Sequence, residues 1–135
     1  MSIHVLIADD DEGIRETMRF ALVEDTDEIF IQEATNGEVA LTLMRESAHP
    51  LIVFLDNRMP DDGQQVFEDV VQDANLLERH IYILFSASKQ FRVPDPVMHN
   101  HLLVLNKPFE LDELAKVMQA AKVRMLAKVQ ASAQE

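Results

Sequence analysis

The sequence contains no cysteine, which excludes both disulfide bridges and thiolate chemistry and fits a reducing compartment. It also lacks any stretch near the roughly 18–20 consecutive apolar residues that a membrane-spanning helix needs. The first ten residues show no basic leader, long apolar run or small-residue cleavage site. We therefore expect no signal peptide and no membrane partner, and a soluble, cytoplasmic protein.

Positive charge is also scarce, because 12 lysines and arginines stand against 24 aspartates and glutamates, for a formal net charge of −12. Nucleic acids are bound mainly through lysine and arginine, so we expect no nucleic-acid partner. An acidic surface suits cations or basic protein surfaces. For most of these acids, a role in solubility alone is an equally good explanation.

Short apolar runs alternate with segments of helical periodicity, which predicts an α/β fold: a doubly wound, five-stranded parallel sheet flanked by helices. The expected strands are residues 3–8, 28–34, 51–56, 80–88 and 101–106. Four regular helices are expected, the third of them over residues 64–77. Their inward-facing residues, one helix after another, are Ile14, Met18, Ala21 and Leu22; Val39, Ala40, Leu43 and Met44; Val66, Phe67, Val70 and Val71; and Leu111, Leu114, Val117, Met118 and Ala121. Asn36 is the expected cap of the second helix.

Two helices depart from this regular pattern. Pro94 and Pro96 disfavour a continuous helix between the last two strands, so an irregular fourth helix is expected there. The last helix is predicted from Leu111 to about residue 130 and is unusually long. We expect one domain over residues 1–135, with a core to about residue 122 and a helical extension over 123–135. The extension suits either a homodimer contact or the start of a linker helix.

Acidic and polar residues follow the predicted strands. Asp9, Asp10 and Asp11 follow the first strand, Asp56 ends the third, Ser86 lies at the end of the fourth and Lys107 follows the fifth. Ligands of open parallel sheets bind at the carboxyl ends of the strands. Converging carboxylates repel one another unless a cation lies between them, and Mg²⁺ prefers such oxygen ligands. The alternative, in which acids cap the next helix, suits Asp11 and Glu12.

Four stretches, VLIADDDEGIR, IVFLDNRMP, LFSAS and LNKPFELDEL, resemble the signature stretches of the receiver domain of bacterial response regulators, which has the flavodoxin-like or CheY-like fold. The resemblance covers nearly the whole chain, with the motifs in family order. It implies a Mg²⁺-dependent phosphoacceptor of two-component signalling that signals or relays through protein contacts. Such a domain catalyses only its own phosphorylation and dephosphorylation. The implied partner is a sensor histidine kinase or a phosphotransfer protein, and the downstream partner is not identified.

The resemblance also implies a role for each site residue. Asp56 matches the phosphoacceptor, which takes a phosphoryl group from a phosphohistidine and forms an acyl phosphate. Asp10 would bind Mg²⁺ directly, Asp9 mainly through water, and Arg58 through its backbone carbonyl. The remaining matches concern the transferred group: Ser86 supplies a hydroxyl to the phosphoryl oxygen, Lys107 pairs with it, and Pro108 follows through a cis peptide bond.

The sequence departs from the family at two places. The loop MPDDG after Asp56 is one residue short, and Val104 stands where receivers usually carry an aromatic switch residue. A different readout surface, or a relay role, is therefore expected. The alternatives are a receiver fragment of a hybrid kinase or multidomain regulator, a pseudo-receiver that is not phosphorylated, and a haloacid-dehalogenase-like phosphohydrolase. The last is disfavoured because Gly13 replaces the expected Thr or Val.

Overall fold

The computed structural model describes residues 2–56, 63–86, 102–107 and 109–133 of the chain. Its sheet has five strands, all paired in parallel, in the order β2-β1-β3-β4-β5. The strands are β1 Ser2–Ala8, β2 Glu28–Ala34, β3 Ile52–Leu55, β4 Ile81–Ser86 and β5 Leu102–Asn106. Each overlaps the run predicted for it, so the predicted fold class is confirmed. All four residues of β3 are buried, as expected of a strand covered on both faces.

The described helices are α1 Glu12–Val23, α2 Gly37–Glu46, α3 Gly63–Gln72, α4 Ala74–Arg79 and α5 Leu111–Ala133. The Asp11 carboxylate caps α1 by accepting a hydrogen bond from the Ile14 amide at 3.2 Å. Asn36 caps α2 as predicted, accepting from the Val39 amide at 2.9 Å. The irregular helix predicted near Pro94 and Pro96 lies outside the described residues. In the part of the chain that is described, no helix has both the length and the apolar character needed to cross a membrane.

The single helix predicted over residues 64–77 is wrong, because the chain forms two helices there. Asp73 lies between α3 and α4 with extended backbone angles. Its carboxylate accepts hydrogen bonds from the amides of Asn75 and Leu76 at 3.1 and 3.3 Å. An aspartate that binds these amides starts a new helix rather than continuing the old one.

Apolar side chains form one core layer on each face of the sheet. One layer joins β1, β3 and β4 to α2, α3 and α4, and the other joins the same strands to α1 and α5. Two predicted inward positions are wrong: Val39 is 40% exposed and Leu111 is 64% exposed, and both lie in the first turn of their helices. The Phe67 side chain lies outside the description.

The 23-residue helix α5 confirms the predicted long C-terminal helix, which is about 35 Å long. Met125 in its second half is buried in the core. Lys122 forms ion pairs with Asp25 and Asp27 at 2.5 and 2.9 Å. The Lys128 ammonium donates to backbone carbonyls at the end of α4, including that of Glu78 at 2.8 Å. The helix thus contacts the domain well beyond residue 122, while the division at that residue stays a prediction.

Candidate functional site

The site lies at the carboxyl edge of the sheet, where β1 has β2 on one side and β3 on the other. This is the position at which the strand order reverses and open parallel sheets bind ligands. The Asp9 amide donates to the carbonyl of Ala34 at 3.0 Å, and the Asp56 amide donates to that of Ala8 at 2.9 Å. These bonds extend the strand ladders by one residue each. Both aspartates are therefore fixed by the sheet rather than by flexible loops.

Two carboxylates of the site are almost fully buried, since Asp9 is 0% and Asp56 2% exposed. Burial raises the pKa of Asp9, because water no longer stabilises its charge, and the nearby Asp56 carboxylate raises it further. The hydrogen bonds from Lys107 and from the Asp11 amide oppose this rise. A buried, mutually repelling pair of this kind needs positive charge close by.

Lys107 supplies that charge from the end of β5. Its ammonium lies 2.6 Å from Asp9 Oδ2 and 3.3 Å from Asp56 Oδ2. The same nitrogen lies 4.5 Å from the centre of the Phe85 ring, a cation–π distance. Lys107 therefore bridges the two buried carboxylates, and the ring face of Phe85 supports it.

The predicted cation ligands Asp9, Asp10 and Asp56 come together in the structure. One carboxylate oxygen from each lies within 4.8 Å of the others. The Asp10 side chain is exposed, so the group opens to solvent on one side. Three oxygens of this kind and spacing fit a single hard divalent cation that retains water ligands.

The remaining predicted site residues are only partly covered by the structure. Ser86 is the last residue of β4 and pairs in register with Asn106, directly before Lys107. Its backbone is therefore at the same edge, while its side chain lies outside the description. Arg58 and Pro108 lie outside the described residues, so the predicted carbonyl ligand and cis peptide bond stay predictions.

Sequence reasoning missed Arg15, which contacts the site from α1. Its Nη1 donates to the backbone carbonyl of Asp9 at 2.6 Å, and its Nε donates to Glu33 Oε1 at 2.9 Å. Arg15 lies one helical turn beyond Asp11, which places it near the β1 end. Nothing in the sequence alone, however, indicates which carboxylate it meets.

The family model of the response regulator receiver domain matches residues 5–119. The chain belongs to this family. A receiver domain is a signalling domain of two-component systems rather than an enzyme that turns over a separate substrate. The predicted family is thereby confirmed.

Curated relatives of the chain include two proteins named as signalling regulators. One is the sensory transduction protein LytT of Oceanobacillus iheyensis, 27% identical over 92% of this chain and 52% of LytT. The other is the response regulator Rre1 of Synechocystis, 28% identical over 96% of this chain and 54% of Rre1. The chain thus spans about half the length of the curated relatives it matches.

Solved structures give the same fold. The response regulator TrrA of Thermotoga maritima, solved in complex with Mg²⁺-BeF, is 28% identical with a TM-score of 0.71, over 88% of this chain and 98% of TrrA. A CheY-like receiver domain from Methanospirillum hungatei has a TM-score of 0.73 at 19% identity, over 94% of this chain and 97% of its own. The second likeness concerns the fold alone.

Proposed function

We propose that the receiver domain accepts a phosphoryl group on Asp56. The observation that carries the proposal is the position of this carboxylate: it is buried at a strand end, 3.3 Å from the Lys107 ammonium and within 4.8 Å of the Asp9 and Asp10 oxygens. Phosphoryl transfer requires a positioned nucleophile and positive charge for the equatorial oxygens. Both requirements are met by groups at this edge of the sheet.

We further propose that Asp9, Asp10 and Asp56 hold Mg²⁺, together with the backbone carbonyl of Arg58. Three carboxylate oxygens and one ammonium leave the site with excess negative charge, which suits a divalent cation. When bound, Mg²⁺ would neutralise negative charge on the phosphoryl oxygens. The Mg²⁺-BeF complex of TrrA supports the assignment by similarity.

In the proposed reaction an Asp56 oxygen attacks the phosphorus of a phosphohistidine on a kinase or phosphotransfer protein. The new P–O bond replaces the P–N bond, and the histidine nitrogen leaves with the bonding electron pair. The Lys107 ammonium stabilises charge on the transferred group. The Ser86 hydroxyl donates a hydrogen bond to a phosphoryl oxygen. The homodimer and the cytoplasmic location stay predictions, and the downstream partner is not identified.

The test is the intact mass of the protein after incubation with Mg²⁺ and acetyl phosphate. We expect the parent to gain one phosphoryl group and Asp56→Asn to gain none. Asp69→Asn is the matched control, because Asp69 lies on α3 and accepts a hydrogen bond from Gln65 away from the site. Equal gain in the parent and in Asp56→Asn would refute Asp56 as the acceptor. A parent that gains nothing from acetyl phosphate or from a phosphohistidine donor would indicate a pseudo-receiver.

A further inference from the structure

We propose that Arg15 is a positioning residue for the candidate cation site: its guanidinium holds the peptide that joins Asp9 to Asp10 and thereby fixes how these two carboxylates are spaced. The inference deepens the proposed function and rests on its cation-binding part. It concerns a residue on α1 that contributes no ligand of its own.

The guanidinium of Arg15 donates hydrogen bonds to two acceptors. Nη1 donates to the Asp9 carbonyl at 2.6 Å, while Nε donates to the Glu33 carboxylate at 2.9 Å. The Arg15 side chain is only 12% exposed, so water competes weakly for these donors. A planar guanidinium with two partners on different elements is held in one orientation. Glu33, at the end of β2, is thus the anchor against which Arg15 holds Asp9.

The accepting carbonyl belongs to the peptide unit between Asp9 and Asp10. Peptide units are planar, so fixing this oxygen also fixes the direction in which the chain enters Asp10. The other polar groups of Asp9 are already held: its amide donates a hydrogen bond to the Ala34 carbonyl, and its carboxylate accepts from the Asp11 amide and the Lys107 ammonium. The hydrogen bond from Arg15 therefore also restricts the backbone of the next residue, Asp10, and with it the position of the exposed Asp10 carboxylate.

Charge and positioning predict opposite results when Arg15 is removed. Arg15 is a cation beside a cation site, so loss of its charge alone should strengthen metal binding. Loss of positioning should weaken metal binding, because the carboxylates must then be ordered by the ion itself. The direction of the change in affinity therefore separates the two roles.

Arg19 offers a matched control on the same helix. Its Nη1 donates to the same Glu33 oxygen at 2.5 Å, and this is its one polar partner among the described residues. Its side chain is 40% exposed. Arg19→Met therefore removes one positive charge and one ion pair to Glu33 without touching the Asp9 carbonyl.

The experiment titrates Mn²⁺ into the full chain and measures the free ion by electron paramagnetic resonance. Mn²⁺ is chosen because it accepts the same oxygen ligands as Mg²⁺. We expect Arg15→Met to raise the dissociation constant of Mn²⁺ about tenfold, the lower end of the roughly 10–100-fold loss of affinity that follows removal of a contact that orients metal ligands. Arg15→Lys keeps the positive charge but loses the planar group that donates to two acceptors, and it should also raise the dissociation constant of Mn²⁺. Arg19→Met should stay within about twofold of the parent.

A second readout separates positioning from a general loss of structure. For phosphorylation by acetyl phosphate, Arg15→Lys should raise the Mg²⁺ concentration at half-maximal rate and keep the rate at saturating Mg²⁺. Unchanged or tighter Mn²⁺ binding in Arg15→Met, or parent-like binding in Arg15→Lys, would overturn the inference. If Arg15→Met does not fold, Arg15→Lys carries the test.

The proposed function and this inference can fail independently. If the parent gains no phosphoryl group while the Arg15 variants weaken Mn²⁺ binding, the proposed function is refuted and the inference about Arg15 holds. If the parent binds no Mn²⁺ at all, the inference is overturned together with the metal assignment.

Discussion

Replacement of Lys107 by methionine should destabilise the metal-free domain strongly. Methionine keeps most of the side-chain volume but removes the ammonium that lies 2.6 Å from Asp9 and 3.3 Å from Asp56. At an effective dielectric constant of about 20, the longer of these contacts alone corresponds to about 5 kcal/mol of attraction. The cost of removing the charges from water offsets part of that. Breaking one side of a buried pair typically costs about 3–5 kcal/mol, and we expect about 3 kcal/mol here.

Lys122→Met is the matched control, because Lys122 also joins two aspartates at similar distances. Its partners Asp25 and Asp27 are 15% and 30% exposed, against 0% and 3% for the carboxylates that Lys107 joins. Water therefore stabilises them when the lysine is lost. We expect a loss of about 1 kcal/mol or less for this variant.

The assay is urea unfolding followed by circular dichroism, in EDTA and in excess Mg²⁺. Mg²⁺ should increase the stability of Lys107→Met more than that of the parent. Without the lysine charge the site binds the cation more tightly, and the bound cation replaces the missing positive charge. Lys122→Met should gain the same increment as the parent. Equal losses in the two variants in EDTA, or equal Mg²⁺ increments in all three proteins, would refute the electrostatic reasoning.

Two further predictions concern the scaffold. The buried His80 accepts from the Leu51 amide and donates to the Met44 carbonyl, and burial, aided by the charges of Arg79 and Lys128, lowers its pKa from 6.5 to about 4. The contribution of neutral His80 to the free energy of unfolding, about 3 kcal/mol, is complete above pH 6.5 and is lost as the pH falls through 4. The stability measured by urea unfolding should therefore depend less on pH in His80→Gln. An NMR titration of the His80 imidazole near pH 6.5 would contradict this. Asp73→Ala should cost about 1 kcal/mol in urea unfolding through loss of the α4 cap, whereas an unchanged midpoint would argue against capping.

The strands and the site could be predicted because one physical rule governs each. Strands covered on both faces appear as apolar runs, as the wholly buried β3 shows. Residues directly after such runs must meet at one edge, which brings Asp9, Asp56 and Lys107 together. No knowledge of side-chain packing is needed for either step.

Contacts between distant elements could not be predicted in this way. The helical periodicity before Asp73 continues after it, so only the hydrogen bonds of its carboxylate show that a new helix begins. No pattern in the sequence indicates the partners of the late lysines of α5. In the structure, Lys122 pairs with Asp25 and Asp27, and Lys128 binds carbonyls at the end of α4. These partners depend on how α5 lies across the domain.

The charge balance of the site explains why its parts must be considered together. One ammonium and three carboxylates leave two net negative charges at an edge where two of the acids are buried, because the charge of the nearby Arg15 is paired with Glu33. A monovalent cation would leave this charge half compensated. A small divalent cation would compensate the charge fully and would keep water ligands, which the phosphoryl oxygens of the proposed reaction would replace. The fold therefore carries an electrostatic cost at this edge in the metal-free state, and that cost favours the divalent cation that the proposed phosphoryl transfer requires.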